Sequence, residues 1–240
     1  MITLPNVLTT EERLATTRLF DHDMTGILHG IYGAMSSAFS GNVNEHRKKR
    51  AIALGESFAS FYRTVNRLTQ NDTISIDGMF SKDSTQGFIE DMEDCSYIFG
   101  ENFCLEAISN YSKIPVRAGD MTYCILHNLV KNSVWAGAKS VNVLIEPSSF
   151  PESASFIPDG ARNYKDFIAF RVHDNGRGFP SREAREYGSY FTTCPPKGEH
   201  GFGLYFTGLV AKVLRAPVEI KSVPGDTTVS FYHPVYERAK

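Results

Sequence analysis

The chain has 240 residues, a formal net charge of −2 at pH 7 and a pI of about 6.4. This mixed, nearly neutral charge gives no basic field for nucleic acid, and no apolar run reaches the roughly 18 to 20 residues of a membrane span. The four cysteines lack the spacing of a zinc site, which favours free thiols in a reducing compartment. We therefore expect a cytoplasmic globular protein with no nucleic-acid partner and no signal peptide.

Two amphipathic helices are predicted at the N-terminus. The first spans about residues 9–38, is capped by Thr9 or Thr10, and carries an apolar residue every three or four positions. The second spans about 44–68 and repeats apolar residues in a heptad pattern. Two such helices cannot bury both apolar seams alone. We predict an antiparallel hairpin over residues 1–72 that pairs with a second copy as a dimeric four-helix bundle.

A polar stretch near residues 70–75 marks the predicted boundary of a second domain, residues 73–240. Apolar, β-rich runs there predict a mixed sheet packed under two helices. The runs that predict this sheet are residues 139–145, 167–172, 218–222 and 228–231, and the helices are residues 120–136 and 203–215. Residues 103–109 and 116–118 are also strand-like and precede the first of these helices. The predicted fold class is α+β, a helical hairpin followed by an α/β sandwich.

The helix predicted from Asp120 carries Asn128 and Asn132 one turn apart on one face. Asparagine is neutral to unfavourable inside a helix, so two on one face indicate a use. A neutral amide oxygen is a suitable ligand for Mg²⁺ that bridges nucleotide phosphates.

A glycine-rich stretch follows the strand predicted to end near Val172. Asp174 lies at the end of that strand, where its carboxylate can accept a hydrogen bond from an amine such as that of adenine. Gly176 and Gly178 allow the backbone to approach a flat ring closely. Gly201 and Gly203 open the next helix, whose free N–H groups and dipole favour phosphate. Each of these features is common on its own, and their order along the chain is the stronger indication of function.

In this order the segments resemble the motifs of a sensor histidine kinase. The string His22–Leu28 is similar to the H box, and His127–Ser133 is similar to the N box. The two glycine-rich segments resemble the G1 and G2 boxes of the GHKL (Bergerat-fold) ATP-binding superfamily, and Gly225–Thr228 resembles its late Gly-Thr element. The resemblance covers about residues 10–235 and is to the transmitter core, a dimerisation and phosphotransfer hairpin plus an ATP-binding domain.

The resemblance implies ATP and Mg²⁺ as cofactors and a role for each motif residue. His22, which points off the apolar seam, is the implied phosphate acceptor, with Asp23 holding its ring tautomer; His29 lacks an acidic neighbour and is second choice. Asn132 is the implied Mg²⁺ ligand. The other implied nucleotide contacts are Asn128, Lys131, Asp174, Gly176, Gly178, Lys197, His200, Gly201, Gly203 and Leu204, with Thr227 supporting Asp174.

Some positions depart from the family pattern. The usual Lys-Tyr pair after Asn132 is replaced by Trp135 and Ala136, and the first glycine of the G2 box is Glu199. Gly26 stands where many relatives have a Thr or Asn that positions water for dephosphorylating the partner. The segment from 190 to 197 corresponds to the ATP lid, which we expect to become ordered only with nucleotide bound.

The implied function is that of a two-component histidine kinase, which phosphorylates His22 and passes the phosphoryl group to an Asp of a response-regulator receiver domain. The alternative is a non-catalytic histidine phosphotransfer protein with an ATPase-like docking domain. A third possibility is an ATP-driven clamp of the MutL or gyrase class. Those hydrolysing relatives carry a Glu where this chain has Asn128, and the missing general base disfavours hydrolysis.

Overall fold

The computed structural model describes residues 3–18, 52, 55, 59, 62–70, 73–75, 104–109, 119–179, 186–193 and 202–236. The described pieces of the two N-terminal helices, residues 10–18 and 62–70, are helical as predicted. The hairpin turn falls on residues 19–50, outside the described residues. The four-helix bundle therefore stays a prediction.

Thr9 begins the first helix through a reciprocal cap. Its hydroxyl oxygen accepts a 3.2 Å hydrogen bond from the N–H of Glu12, and Glu12 Oε2 accepts a 2.8 Å bond from the N–H of Thr9. This is a capping box, which satisfies two backbone donors at once. Of the two predicted caps, Thr9 is the one used. Glu12 also pairs with Lys212 at 2.9 Å, which ties this helix start to the C-terminal domain.

A small two-stranded sheet joins the start of the chain to the predicted linker. Strand β1 (Thr3–Pro5) pairs antiparallel with β2 (Thr73–Ser75). Neither strand was predicted from the sequence, because three residues are too few to show an alternating pattern.

The predicted mixed sheet is confirmed. Within the described residues it has five strands in the order β3-β4-β5-β7-β6, with β3 parallel to β4 and the other neighbours antiparallel. The strands are β3 (Cys104–Ser109), β4 (Ser140–Ser149), β5 (Asp166–Asp174), β6 (Val218–Val223) and β7 (Asp226–Pro234). Strand β4 runs four residues beyond its predicted end at Ile145. Among the described residues its pairing with β3 ends at Ile145, so Pro147 lies beyond that pairing, where the N–H that proline lacks is not needed for the β3–β4 ladder.

Two helices cover one face of the sheet: the asparagine helix (Gly119–Trp135) and the glycine helix (Phe202–Leu214). Alternate residues of β5, among them Phe170 and Val172, are buried in the same core cluster as these helices. Leu68 of the second N-terminal helix also lies in that cluster, at 0% exposure. No helix in the described part of the chain combines the length and apolar character needed to cross a membrane.

Candidate functional site

The asparagine helix presents two amide side chains on one face. Asn128 is 2% exposed and Asn132 follows one turn later. The amide nitrogen Nδ2 of each is buried and has no hydrogen-bond partner among the described residues. A buried donor left unsatisfied costs about 1–3 kcal/mol. Such a cost is typical of a binding site, where a ligand supplies the missing partner.

Gly203, in the first turn of the glycine helix, faces these amides. A Cβ built on Gly203 would lie 3.5 Å from Oδ1 of Asn132 and 3.7 Å from Oδ1 of Asn128. These are ordinary van der Waals distances, so the first turn of the glycine helix lies directly opposite both amide side chains. The same turn has backbone N–H groups without intrahelical partners, which favours an anion.

Asp174 ends strand β5 and is 4% exposed. Its Oδ2 accepts a 2.9 Å hydrogen bond from the hydroxyl of Ser133, and its Oδ1 accepts a 2.8 Å bond from the N–H of Gly176. A carboxylate oxygen has two lone pairs, so both oxygens can still accept a further bond. Asp174 is therefore a buried, oriented acceptor for an amine.

The glycine turn after Asp174 requires its two glycines. A Cβ on Gly176 would lie 2.9 Å from Cβ of Ala136, at the end of the asparagine helix. Gly178 has φ +75°, and a Cβ there would lie 2.8 Å from the hydroxyl of Ser222. Neither close approach is possible for a larger residue without a shift of the turn.

Backbone hydrogen bonds attach this glycine turn to the end of the asparagine helix and to the β6–β7 turn. The N–H of Arg177 donates to the carbonyl of Ala136 at 3.0 Å, and the N–H of Gly225, in the β6–β7 turn, donates to the carbonyl of Gly176 at 2.8 Å. Asn175 adds a side-chain contact, since its Oδ1 accepts from the N–H groups of Lys139 and Ser140 at 2.8 and 3.1 Å. The turn is therefore rigidly attached at the end of the pocket where Asp174 lies.

Thr227 is the register partner of Asp174 across β5 and β7. Its hydroxyl lies 2.8 Å from that of Ser222, which accepts a 2.9 Å bond from the N–H of Phe179. The side-chain support for Asp174 thus comes from Ser133, while Thr227 contacts the glycine turn through Ser222. The role of Thr227 toward Asp174 and nucleotide stays a prediction, to which the structure adds this contact with Ser222.

Two other residues that were predicted to contact nucleotide, Leu204 and Lys131, also contact other parts of the protein. Leu204 is 7% exposed and packs in the core, so only its backbone is available to a ligand. The ammonium nitrogen of Lys131 lies 5.0 Å from the ring centroid of Trp135, whose side chain is 54% exposed. His22, Asp23, Lys197, His200 and Gly201 lie outside the described residues.

Part of the predicted lid is a packed helix. Residues Ser189–Thr192 form a short helix in which Phe191 is 1% exposed and contacts Phe156, with ring centroids 5.8 Å apart. A Cβ on Gly208 of the glycine helix would lie 2.0 Å from the carbonyl oxygen of Phe191, so the two helices are in direct backbone contact. Residues 190–193 of the predicted lid are thus anchored by a buried phenylalanine. The expectation that the lid becomes ordered with nucleotide bound stays a prediction.

Ser133 and Ser222 are the site residues that the sequence analysis missed. Ser133 follows Asn132 directly, and its signal was a small polar residue on the side of the helix that faces the sheet. Ser222 lies at the exposed end of β6 and gave no signal, because its role depends on the position of Phe179, 43 residues away in the chain.

The fold and this site together define a class of protein. An α/β sandwich with an asparagine-bearing helix, a strand-end acid followed by a glycine turn, and a glycine-headed second helix is the arrangement of a GHKL-type ATP-binding domain. Residues 120–237, just under half of the chain, match the family model described as "Histidine kinase-, DNA gyrase B-, and HSP90-like ATPase". The match covers the ATP-binding part of the predicted transmitter core, and for this part of the chain the resemblance to a GHKL-type ATP-binding domain is confirmed.

Solved structures similar to this chain include histidine kinases. The histidine kinase domain of the blue-light activated histidine kinase from Erythrobacter litoralis EL346 is 14% identical, with 94% of this chain and 93% of that chain covered and a TM-score of 0.43. Acinetobacter baumannii histidine kinase AdeS is 11% identical, with 89% and 97% covered and a TM-score of 0.48. A bacterial phosphotransferase is 12% identical, with 95% and 99% covered and a TM-score of 0.46. No curated protein sequence matches this chain.

Proposed function

We propose that this chain is an ATP-dependent protein histidine kinase that phosphorylates its own His22. The observation that carries the proposal is the pair of amides of Asn128 and Asn132, which face Gly203 and whose buried Nδ2 atoms have no hydrogen-bond partner among the described residues. A polyphosphate is rich in acceptor oxygens, so it supplies what these donors lack. Asp174, at the end of β5, would accept a hydrogen bond from the adenine amine.

The residues present also suit Mg²⁺. Both amide oxygens, Oδ1 of Asn128 and Oδ1 of Asn132, lie on the side of the helix that faces Gly203. Neutral oxygen is a ligand that Mg²⁺ accepts, and the metal usually binds to few protein groups because phosphates and water complete its shell. We assign Asn132 as the ligand. When bound, Mg²⁺ neutralises part of the negative charge on the β- and γ-phosphates.

The proposed chemistry is phosphoryl transfer to an imidazole. The lone pair of the unprotonated ring nitrogen of His22 forms a bond to the γ-phosphorus, and the bond from that phosphorus to the bridging oxygen breaks, so that ADP leaves with the electron pair. Asp23 would accept a hydrogen bond from the other ring nitrogen and stabilise the charge that develops on the ring. An amide at position 128 cannot remove a proton from water, which supports transfer over hydrolysis.

The partners follow from the same proposal. A second copy would complete the four-helix bundle of the hairpin. The phosphoryl group would then pass from His22 to an Asp of a receiver domain, which makes the protein one half of a two-component system. Because ATP is its substrate, we propose that it acts in the cytoplasm.

The test is incubation of the purified chain with Mg²⁺ and ATP labelled in the γ-phosphate. We expect label on the protein that acid removes and alkali does not, as for a phosphohistidine, and we expect it to be lost in His22→Gln and in Asn132→Asp. Label that persists in His22→Gln would move the acceptor to His29 or another residue. ATP binding without label would contradict autophosphorylation. Absence of ATP binding would favour the phosphotransfer protein with a docking domain.

A further inference from the structure

The hydroxyl of Ser222, near the end of strand β6, holds the far end of the glycine turn. Its Oγ accepts a 2.9 Å hydrogen bond from the N–H of Phe179. A Cβ on Gly178 would lie 2.8 Å from this oxygen and 3.1 Å from the carbonyl oxygen of Val223, and Gly178 has φ +75°. The backbone of the turn therefore lies directly against β6, in a conformation that glycine adopts without strain.

A second contact fixes the same hydroxyl. Thr227 is the register partner of both Ser222 and Asp174, so the three residues form one row across β6, β7 and β5. Thr227 is 2% exposed, and its hydroxyl lies 2.8 Å from that of Ser222. A hydroxyl has one donor and two acceptor lone pairs, so Ser222 can accept from Phe179 and bond to Thr227 at once. The Ser222 oxygen is thus held from two sides.

The near end of the glycine turn contacts Asp174. The N–H of Gly176 donates to Oδ1 of Asp174, and the carbonyl of Gly176 accepts from the N–H of Gly225, both at 2.8 Å. The Gly176–Gly225 bond joins two backbone groups, whereas the bond at Phe179 depends on the side chain of Ser222. Loss of that hydroxyl would release the far end of the turn, whose near end orients the Asp174 carboxylate.

We propose that Ser222 is a positioning residue that holds the glycine turn in place for the adenine base. The inference rests on the proposed function and extends it to a strand that carries none of the sequence motifs. Ser222 acts through the backbone of Phe179 and Gly178 and needs no contact with nucleotide. A turn that is already in place requires less ordering when the base binds. Because ATP and AMP share the base, loss of this hydroxyl should weaken both by the same factor.

The test is calorimetric titration of the full chain with ATP and with AMP, in the presence of Mg²⁺. We expect Ser222→Ala to raise both Kd values by about two- to tenfold, the range for one lost hydrogen bond. Ser155→Ala is the matched control, because the hydroxyl of Ser155 also accepts a part-buried bond from a backbone N–H, that of Ile220 at 3.0 Å. That bond joins β6 to the β4–β5 loop and not to the glycine turn, so both Kd values should stay unchanged. Circular dichroism at the titration temperature checks that each variant is folded.

Hydrogen exchange tests the mechanism directly. The N–H of Phe179 loses its acceptor in Ser222→Ala, so a peptide that spans the glycine turn should exchange faster than in the wild type. The same peptide should exchange at the wild-type rate in Ser155→Ala.

The proposal is overturned if Ser222→Ala binds both nucleotides as the wild type does, or if it weakens ATP alone. It is also overturned if Ser155→Ala weakens both nucleotides as much as Ser222→Ala, or if exchange of the turn is unchanged in Ser222→Ala. In all these cases the wild type still binds ATP, and the proposed function stands. A folded wild type that binds no ATP overturns both.

Discussion

Ser133 donates a 2.9 Å hydrogen bond to Asp174 and so joins the end of the asparagine helix to the end of strand β5. Both residues are buried, at 4% exposure each. Through this bond, the asparagine helix contributes residues to two parts of the site. Asn128 and Asn132 face the glycine helix, while Ser133, on a different side, orients the carboxylate.

Removal of this bond should weaken both the fold and the site. Ser133→Ala leaves Oδ2 of Asp174 buried without its partner, and hydrogen bonds to charged groups contribute about 1.5–3 kcal/mol. We expect the free energy of unfolding in urea to fall by about that amount, with weaker ATP binding. Ser148→Ala is the control, since that hydroxyl is exposed and donates to the carbonyl of its neighbour, Ser149. Equal stability of the two variants would show that the Ser133 bond contributes nothing.

Two glycines differ in the space around their Cβ positions, so replacing each by alanine should change stability in opposite directions. Gly208→Ala would place a Cβ 2.0 Å from the carbonyl oxygen of Phe191, so the helices must separate. We expect a loss of stability in the range of overpacking, about 1–3 kcal/mol or more. Gly55, in the second N-terminal helix, has nothing within 4 Å of its Cβ position.

Gly55→Ala should therefore stabilise the chain by about 0.4–1 kcal/mol, because alanine restricts the unfolded chain. Thermal unfolding of the two variants, followed by circular dichroism, measures both effects. A Gly208→Ala variant as stable as the wild type would contradict the backbone contact. A loss of stability in Gly55→Ala would contradict the open surface at that position.

Glu219 predicts a pH dependence of stability. Burial raises the pKa of this carboxyl, but hydrogen bonds from Ser153, Tyr232 and Lys221 outweigh that effect and lower the pKa below its usual value of 4.5. When folding lowers the pKa of a carboxyl, the ionised group stabilises the fold, and this stabilisation is complete at a pH above the pKa of the unfolded state. The stabilisation is lost as the pH falls through the pKa of the folded state. The stabilisation should thus be complete above about pH 5 and lost progressively below it.

The measurement is the free energy of unfolding in urea between pH 7 and pH 3. Wild type should lose more stability on acidification than Glu219→Gln, which cannot titrate at this position. Glu152→Gln is the control, because the ion pair of Glu152 with Arg162 is exposed, at 73% and 60% of the side chains, and exposed pairs contribute little. Parallel curves for wild type and Glu219→Gln would contradict this role.

The sheet and the main site residues could be predicted from the sequence because they depend on local signals. Asp174 follows a largely apolar strand, and Asn132 lies one turn after Asn128 on one face of a helix, so each can be recognised from residues close to it in the chain. The bonds that complete the site are not local. Ser133 bonds to Asp174, 41 residues away in the chain, and Phe179 bonds to Ser222, 43 residues away. A local sequence pattern does not show which residues pair over such separations.

Two other differences between prediction and structure arise for the same reason, because a sequence pattern reports only on neighbouring residues. Strands β1 and β2 are three residues each, too short for an alternation to appear. The segment around Phe191 has the polar and proline-containing composition of a lid, yet one buried aromatic side chain fixes it against Phe156. The acceptor role of His22 stays a prediction, because that residue lies outside the described residues.

The most direct measurement is the affinity for ATP of the wild type and of Asp174→Asn, by calorimetric titration with Mg²⁺ present. Asparagine keeps the shape of the side chain and replaces a carboxylate oxygen by a donor, which would face the adenine amine. Our account predicts one bound ATP per chain in the wild type and a Kd at least about tenfold higher in Asp174→Asn, the cost of about 1.4 kcal/mol or more. Equal affinity of the two proteins, or no binding by a folded wild type, would contradict the account.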